Sequence, residues 1–215
     1  MKTYEKISTI YQRDMTGSRE LIQGTWCNQT VEYLKDLKWD WTEKVDGTNI
    51  RVHWDGHSVE FGGRNDKSQI PPMLSIRLNE LFSGEENAQI FEQQFGGDDV
   101  ILFGEGYGHR IQGCGDLYIS DGVDFIMFDL CVNGNYQTRT NVEKCAKAFG
   151  IKAVPIVGCG SLEDAVLFVK KNPRSFLGDL PMEGVVCRPI VELYDQCGNR
   201  LIVKIKYNDF KGANV

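Results

Sequence analysis

The segment from Trp39 to Gly63 constrains this chain more than any other. WDWTEKV, NIRVHW and HSVEFGG are β-type runs rich in branched and aromatic residues, and the breaks fall on Asp46-Gly47 and Asp55-Gly56. Asp-Gly supplies the positive-φ positions of tight turns, so the spacing predicts a β-meander. Further strands are read at VILFGEG (100–106), DFIMFDL (124–130), EGVVCRPI (183–190) and RLIVKIKY (200–207). Helices are read at 30–38, opened by Thr30, and at 73–95, after Pro71-Pro72. Two more follow at 140–150, ended by Gly150, and at 161–171, capped by Ser161 with Asp164 three residues on. Antiparallel sheets with flanking helices make an α+β fold. No repeat, low-complexity stretch or linker divides the 215 residues, so a single domain over 1–215 is expected.

Composition then narrows the function class. Hydrophobic residues at 41% and charged residues at 25% exclude a disordered tail, a collagen-like rod and a small disulfide scaffold. No apolar run approaches the roughly 18 residues of a membrane span, and MKTYEKISTIYQRD lacks an apolar signal core. The expectation is a soluble cytoplasmic protein with no membrane partner. The seven cysteines form no CxxC pair, and with three scattered histidines there is no zinc-ligand spacing. Free thiols in a reducing compartment are expected. The net charge is −6, but residues 1–169 hold 16 basic and 25 acidic side chains, whereas residues 170–215 hold 8 and 5. A basic C-terminal segment on an acidic body suits a local phosphate-binding face.

Several side chains in this frame suit phosphate chemistry. In EKVDGTNIR, Lys44 stands just before the Asp46-Gly47 turn, where exposed backbone can approach a phosphate. Taken alone, it reads first as the exposed lysine of an ordinary hairpin. An amine attacks only when unprotonated, so a nucleophilic lysine needs desolvation or neighbouring cations. RLIVKIKYNDF offers cations. Lys204 and Lys206 share one sheet face with Ile202, while Leu201, Val203 and Ile205 take the core face. The pair is either a solvated strand face or a phosphate clamp. Glu105 in LFGEGYG and Glu183 in MEGVVCR sit beside glycines at strand positions, as solvated ends or as partners of ribose hydroxyls or a divalent cation. In DFIMFDL, alternation puts Ile126, Phe128 and Leu130 on one face, with Phe125, Met127 and Asp129 opposite. An aromatic there is core or a base-stacking platform.

In order along the chain, Lys-x-Asp-Gly, Gly-Glu-Gly, Phe-Asp, Glu-Gly and Lys-x-Lys resemble the five-motif signature of the covalent nucleotidyltransferases. That superfamily comprises ATP-dependent RNA ligases, DNA ligases and mRNA capping enzymes. EKVDGTNIRV, with Asn49 after Gly-Thr, and FGEGYGHRIQ, with Ile111-Gln112, are similar to the RNA ligase 2 and RNA-editing ligase family in particular. The resemblance runs from about residue 4 to 211. It implies one ATP-grasp-like nucleotidyltransferase domain over 1–215; relatives of the RNA ligase 2 type usually carry a further C-terminal domain after the last motif, and here no separate C-terminal domain is expected. It also implies an ATP-dependent RNA ligase that joins 5′-phosphate and 3′-hydroxyl ends of nicked or broken RNA. The implied route passes through lysyl-AMP and an adenylylated 5′ end, with ATP and Mg2+ as cofactors and Mn2+ as a substitute.

Residue by residue, the resemblance makes Lys44 the nucleophile toward the α-phosphate. Glu43 would help hold the adenine through its backbone, Phe128 would stack on the base and Glu105 would bind a ribose hydroxyl. Asn49 would contact the phosphate region of AMP, and Arg64, in FGGRNDKSQ, its ribose. Glu183 would hold Mg2+, and Lys204 and Lys206 would grip the α-phosphate. Some relatives carry His where this chain has Asp46. The chain ends four residues after Lys211, so docking of RNA ends is expected to rest on the basic segment, with Lys170, Lys171, Arg174 and Lys211 as contacts. A DNA ligase and a GTP-using capping enzyme share the signature, but Gly-Thr-Asn and Ile-Gln tilt away from both. An inactive nucleic-acid-binding module would have no need of Lys44, Glu105, Glu183, Lys204 and Lys206 together.

Overall fold

The run from Trp39 to Gly63 does not form a meander, because its first strand joins one sheet and the next two join another. The structure, a computed structural model, describes residues 1–17 and 19–211, so the four residues after Lys211 lie outside it. The chain opens with β1 (Ser8–Thr9), β2 (Tyr11–Arg13), β3 (Leu21–Trp26), α1 (Gln29–Leu34), β4 (Trp39–Glu43), β5 (Thr48–Trp54) and β6 (Val59–Gly62). It continues through α2 (Pro72–Phe82), α3 (Glu85–Phe95), β7 (Val100–Gly108), α4 (Gly115–Tyr118), β8 (Val123–Val132), β9 (Asn135–Tyr136) and α5 (Arg139–Ala148). It closes with β10 (Lys152–Ala153), β11 (Ile156–Gly160), α6 (Leu162–Lys170), β12 (Gly184–Pro189), β13 (Val203–Lys206) and a 3-10 turn at Tyr207–Phe210. The α+β class, with mainly antiparallel sheets and flanking helices, is as expected.

Two compact units result. One comprises Met1–Glu5 and Asp46–Val154, the other Lys6–Val45 and Pro155–Val215. In the second unit the sheet order is β1-β13-β12-β4-β11, with β1 parallel to β13 and the other pairs antiparallel. α6 opens on the Ser161–Asp164 capping box that the sequence announced. Its Leu162, Ala165, Val166 and Val169 bury against Trp41, Val185, Cys187, Val203 and Ile205 of the sheet. α1 is shorter than expected and is capped by Asn28 rather than Thr30, the Asn28 side chain accepting from Val31 N.

In the first unit the sheet order is β10-β8-β7-β5-β6, with β9 added on β8. Ile50, Val52 and Trp54 fill its core together with Leu74, Leu78, Phe82, Phe91 and Phe125. Asp55-Gly56 closes the β5–β6 hairpin as read, the Asp55 carboxylate accepting from the N–H groups of His57 and Ser58 at 2.8 and 2.7 Å. Asp46-Gly47 closes no hairpin. Asp46 N–H donates to the Tyr118 hydroxyl at 3.2 Å, and Gln112 donates to the Gly47 carbonyl at 3.1 Å. Side chains of α4 and of the loop before it take bonds that a hairpin partner would have supplied. The expected helix 73–95 breaks at Ser83-Gly84, where Gly84 has φ +92. The reversal lets Phe82 and Phe91, from α2 and α3, both reach Phe149 of the same core.

Candidate active site

Three strands assemble a face of lysines in the second unit. β12 lies between β4 and β13, so Val185 stands opposite Glu43 and Ile205, and Val186 stands opposite Thr42 and Lys204. Residues directly opposite one another project to the same side, and alternation sorts the rest. Trp41, Glu43, Val185, Cys187, Val203 and Ile205 point toward α6 and are buried. Thr42, Lys44, Val186, Lys204 and Lys206 take the other face. This is the pairing of Lys204 with Lys206 read from the alternation. Ile202, expected beside them, is buried instead, because β13 begins only at Val203.

Gly184 sits between the two lysines at the end of this face. Lys44 N–H donates to its carbonyl at 2.9 Å, and Lys206 is its partner on β13. A Cβ at this position would overlap the Ile205 carbonyl oxygen, so the close pairing admits only glycine. Glu183, one residue earlier, turns its carboxylate onto both lysines. Lys44 Nζ lies 2.5 Å from Oε2, and Lys206 Nζ lies 2.7 Å from Oε1. The Lys44, Lys206 and Glu183 side chains are 23%, 34% and 14% exposed, so an entering anion can reach the lysines and compete with the carboxylate. With Lys204 added, these four side chains carry a net positive charge. The arrangement suits a phosphate.

Glu43 is built differently from the sequence reading, which used only its backbone. Its N–H donates to the Pro155 carbonyl at 3.0 Å. Its side chain is buried toward α6, where Ser175 Oγ donates to one carboxylate oxygen and Phe176 N–H to the other, the latter at 2.9 Å. Burial pushes the Glu43 carboxyl pKa up, and the two donors oppose that shift.

The first unit carries the remaining expected residues on one sheet face. Asn49, Glu105 and Ile126 stand in one row across β5, β7 and β8. Arg51, Phe103 and Asp129 form the next row. The face opposite belongs to the helical core. A bulge between Met127 and Asp129 makes Phe128 the extra residue of β8. The simple alternation therefore fails, and Leu130 joins Met127 and Phe125 in the core while Phe128 packs with Tyr4 on the other side. Tyr4 edges onto Phe128 at 5.0 Å between centroids and onto Phe103 at 4.9 Å, and its hydroxyl donates to Asp129 at 2.8 Å. Asn49 Oδ1 is buried with no hydrogen-bond partner among the described residues. A native structure seldom leaves such an atom unpaired without a ligand or water to meet it.

Arg64 is exposed in the loop after β6, and the residue that shapes this loop escaped the sequence reading. Arg51 is fully buried. It donates to the Gly63 carbonyl at 2.7 Å, to Asp66 at 2.9 Å and to the Met1 carbonyl at 3.1 Å. The available signal was a cation in a β run, two residues from Asn49 and so on its face. Arg51→Met is expected to destabilise the protein by about 1–3 kcal/mol, since it leaves the buried Gly63 carbonyl without its guanidinium donor. Urea unfolding checks this, and a midpoint equal to wild type would show that the buried guanidinium contributes nothing net.

Over residues 37–206 the sequence matches the RNA ligase family. The chain belongs to that family. The matched span includes Lys44, Asn49, Glu105, Phe128, Glu183, Lys204 and Lys206. Solved RNA ligases share the fold. A single-site mutant of Naegleria gruberi RNA ligase with ATP and Mn superposes at a TM-score of 0.64 with 19% identity, covering 97% of this chain and 62% of that one. The Naegleria gruberi RNA ligase with PPi gives 0.63 with 22% identity, covering 98% and 63%. A further mutant with AMP and Mn gives 0.65 with 19% identity, covering 95% and 62%. This RNA ligase family chain thus spans less than two thirds of the length of those structures. No curated protein matches it. All seven cysteines are free thiols, and no helix among the described residues is long and apolar enough to cross a membrane.

Proposed function

We propose that this chain is the nucleotidyltransferase part of an ATP-dependent RNA ligase, working through lysyl-AMP. The observation that carries the reading is the Lys44–Glu183–Lys206 cluster, with Lys204 on the same face, in a chain of the RNA ligase family. Lys44 Nζ, once deprotonated, attacks the α-phosphorus of ATP. A P–N bond forms, the bond to the bridging oxygen breaks, and pyrophosphate leaves. A 5′-phosphate oxygen of RNA next attacks the same phosphorus, which frees Lys44 and leaves an adenylylated end. The neighbouring 3′-hydroxyl then attacks the 5′-phosphate and expels AMP.

Lys204 and Lys206 neutralise charge on the transferred phosphoryl group in each step, as preorganised cations do most effectively where water is displaced. Asn49, Glu105 and Phe128 share one face and suit the phosphate, ribose and base of the nucleotide, and the unpartnered Asn49 Oδ1 supports that use. Arg64 supplies a cation for the ribose or the RNA end.

Among the described residues no cluster of three His, Cys, Asp or Glu could hold a metal. Mg2+ is commonly held by one or two carboxylates together with substrate phosphates and water. Glu183 fits that pattern, provided a phosphate draws off one of its lysines. Bound there, Mg2+ or Mn2+ would polarise the phosphate and stabilise the leaving pyrophosphate.

Incubation with α-labelled ATP and Mg2+ is expected to transfer label to the protein, and EDTA is expected to abolish the transfer. Absence of label at any divalent concentration overturns the reading. Sealing assays on nicked duplex RNA, nicked DNA and single-stranded RNA then define the polynucleotide, with nicked RNA expected to be sealed fastest.

A further inference from the structure

The loop after α6 holds an aromatic ring out into solvent. Phe176 is 68% exposed, yet its backbone is fixed. Its N–H donates to the buried Glu43 carboxylate, and Leu177 N–H donates to Ser175 Oγ at 3.0 Å. The stem is closed by Ser175 N–H on the Leu180 carbonyl at 2.9 Å and by Met182 N–H on the Pro173 carbonyl at 2.8 Å. Leu180 and Met182 anchor it in the core. Scattered exposed apolar residues need no explanation. A ring presented by a loop that a buried carboxylate pins in place does call for one. Glu43 immediately precedes Lys44 in the chain, so the backbone N–H of Phe176 is bonded to the side chain of the nucleophile's sequence neighbour.

Two exposed cations precede the ring in the chain. Lys171 is exposed at the end of α6, and Arg174, paired with Asp179, is 60% exposed. A protein partner would look for a continuous apolar patch. A pinned aromatic with exposed cations nearby in the chain instead suits single-stranded nucleic acid, bases stacking on the ring while cations track the phosphates. Because the loop is already ordered, little conformational entropy is lost when a base docks.

We propose that Phe176 is a stacking platform for an unpaired or terminal base of the RNA substrate, with Lys171 and Arg174 contacting the adjacent phosphates. The proposal rests on the RNA ligase reading and names a surface for its polynucleotide. The expected Phe176→Ala effect on RNA affinity follows from stacking worth about 1–3 kcal/mol per base, a loss of roughly 5- to 150-fold.

The test is a fluorescence-anisotropy titration of the full chain with a labelled single-stranded oligoribonucleotide and with nicked duplex RNA, at two salt concentrations. Phe176→Ala is expected to weaken binding within that range without changing the salt dependence, since no phosphate contact is lost. Phe176→Tyr should bind as wild type does. Transfer of label from ATP to the protein should be equal in all three proteins. Wild-type affinity in Phe176→Ala overturns the proposal, as does a wild type that binds no RNA. An equal loss of self-labelling in Phe176→Ala also overturns it, because the ring would then serve ATP. A wild type that binds RNA through Phe176 but never takes up label would refute the ligase reading and leave the stacking surface standing.

Discussion

Lys44→Arg and Lys44→Ala are each expected to abolish transfer of label from α-labelled ATP to the protein. The arginine variant is the sharper of the two. It keeps a cation beside Glu183, so the ion pair at the end of β4 can persist and the fold need not suffer. A guanidinium remains protonated at any working pH, however, and has no lone pair to offer phosphorus. Alanine removes the amine outright and leaves Glu183 with Lys206 alone. Denaturing gels after incubation with labelled ATP read the result directly. Label near the wild-type level in Lys44→Arg would place the nucleophile elsewhere, with Lys67, in the exposed loop after β6, as the next residue to replace.

Lys204→Ala and Lys206→Ala should each slow self-labelling by about two orders of magnitude, corresponding to roughly 3 kcal/mol, the usual cost of losing one preorganised charge at a reacting centre. The Lys206 variant is expected to be the slower. Lys206 shares the Glu183 carboxylate with Lys44, so its loss leaves Lys44 to carry that anion alone. Both proteins should stay folded. Val203 and Ile205, each 1% exposed, supply the packing of β13 from the opposite face. Single-turnover rates of label uptake, measured beside thermal unfolding, separate the two effects. If either variant unfolds, the lysines are structural and the phosphate clamp has to be abandoned.

The two lysines of β13 show what a sequence says reliably about a strand. Side chains alternate with a period of two wherever the backbone is extended, so Lys204 and Lys206 share a face whatever lies beside them. The same local rules located α6 through its capping box and the β5–β6 hairpin through Asp55-Gly56. The five motifs pointed to Lys44, Asn49, Glu105, Phe128, Glu183 and the lysine pair, and the structure sets them on two sheet faces, one in each unit. The alternation failed at Phe128, where a bulge adds one residue to β8 and reverses the phase beyond it.

Which strands pair was not written locally. Asp46-Gly47 has the composition of a hairpin turn, but Tyr118 and Gln112, more than sixty residues away in the chain, take its backbone groups. The Trp39–Glu43 strand then finds β11 and β12 as neighbours instead of β5. Arg51 and Glu43 escaped notice as structural charges for the same reason. A charged side chain in a β run reads as exposed until the chain brings it partners: Gly63, Asp66 and Met1 for the guanidinium, and Ser175 and Phe176 for the carboxylate. Chain order and side-chain period are properties of the sequence itself, so motif, strand face and chemistry were legible from it. Burial of a charge depends on acceptors and donors supplied from far along the chain, and those come together only when the sheets form.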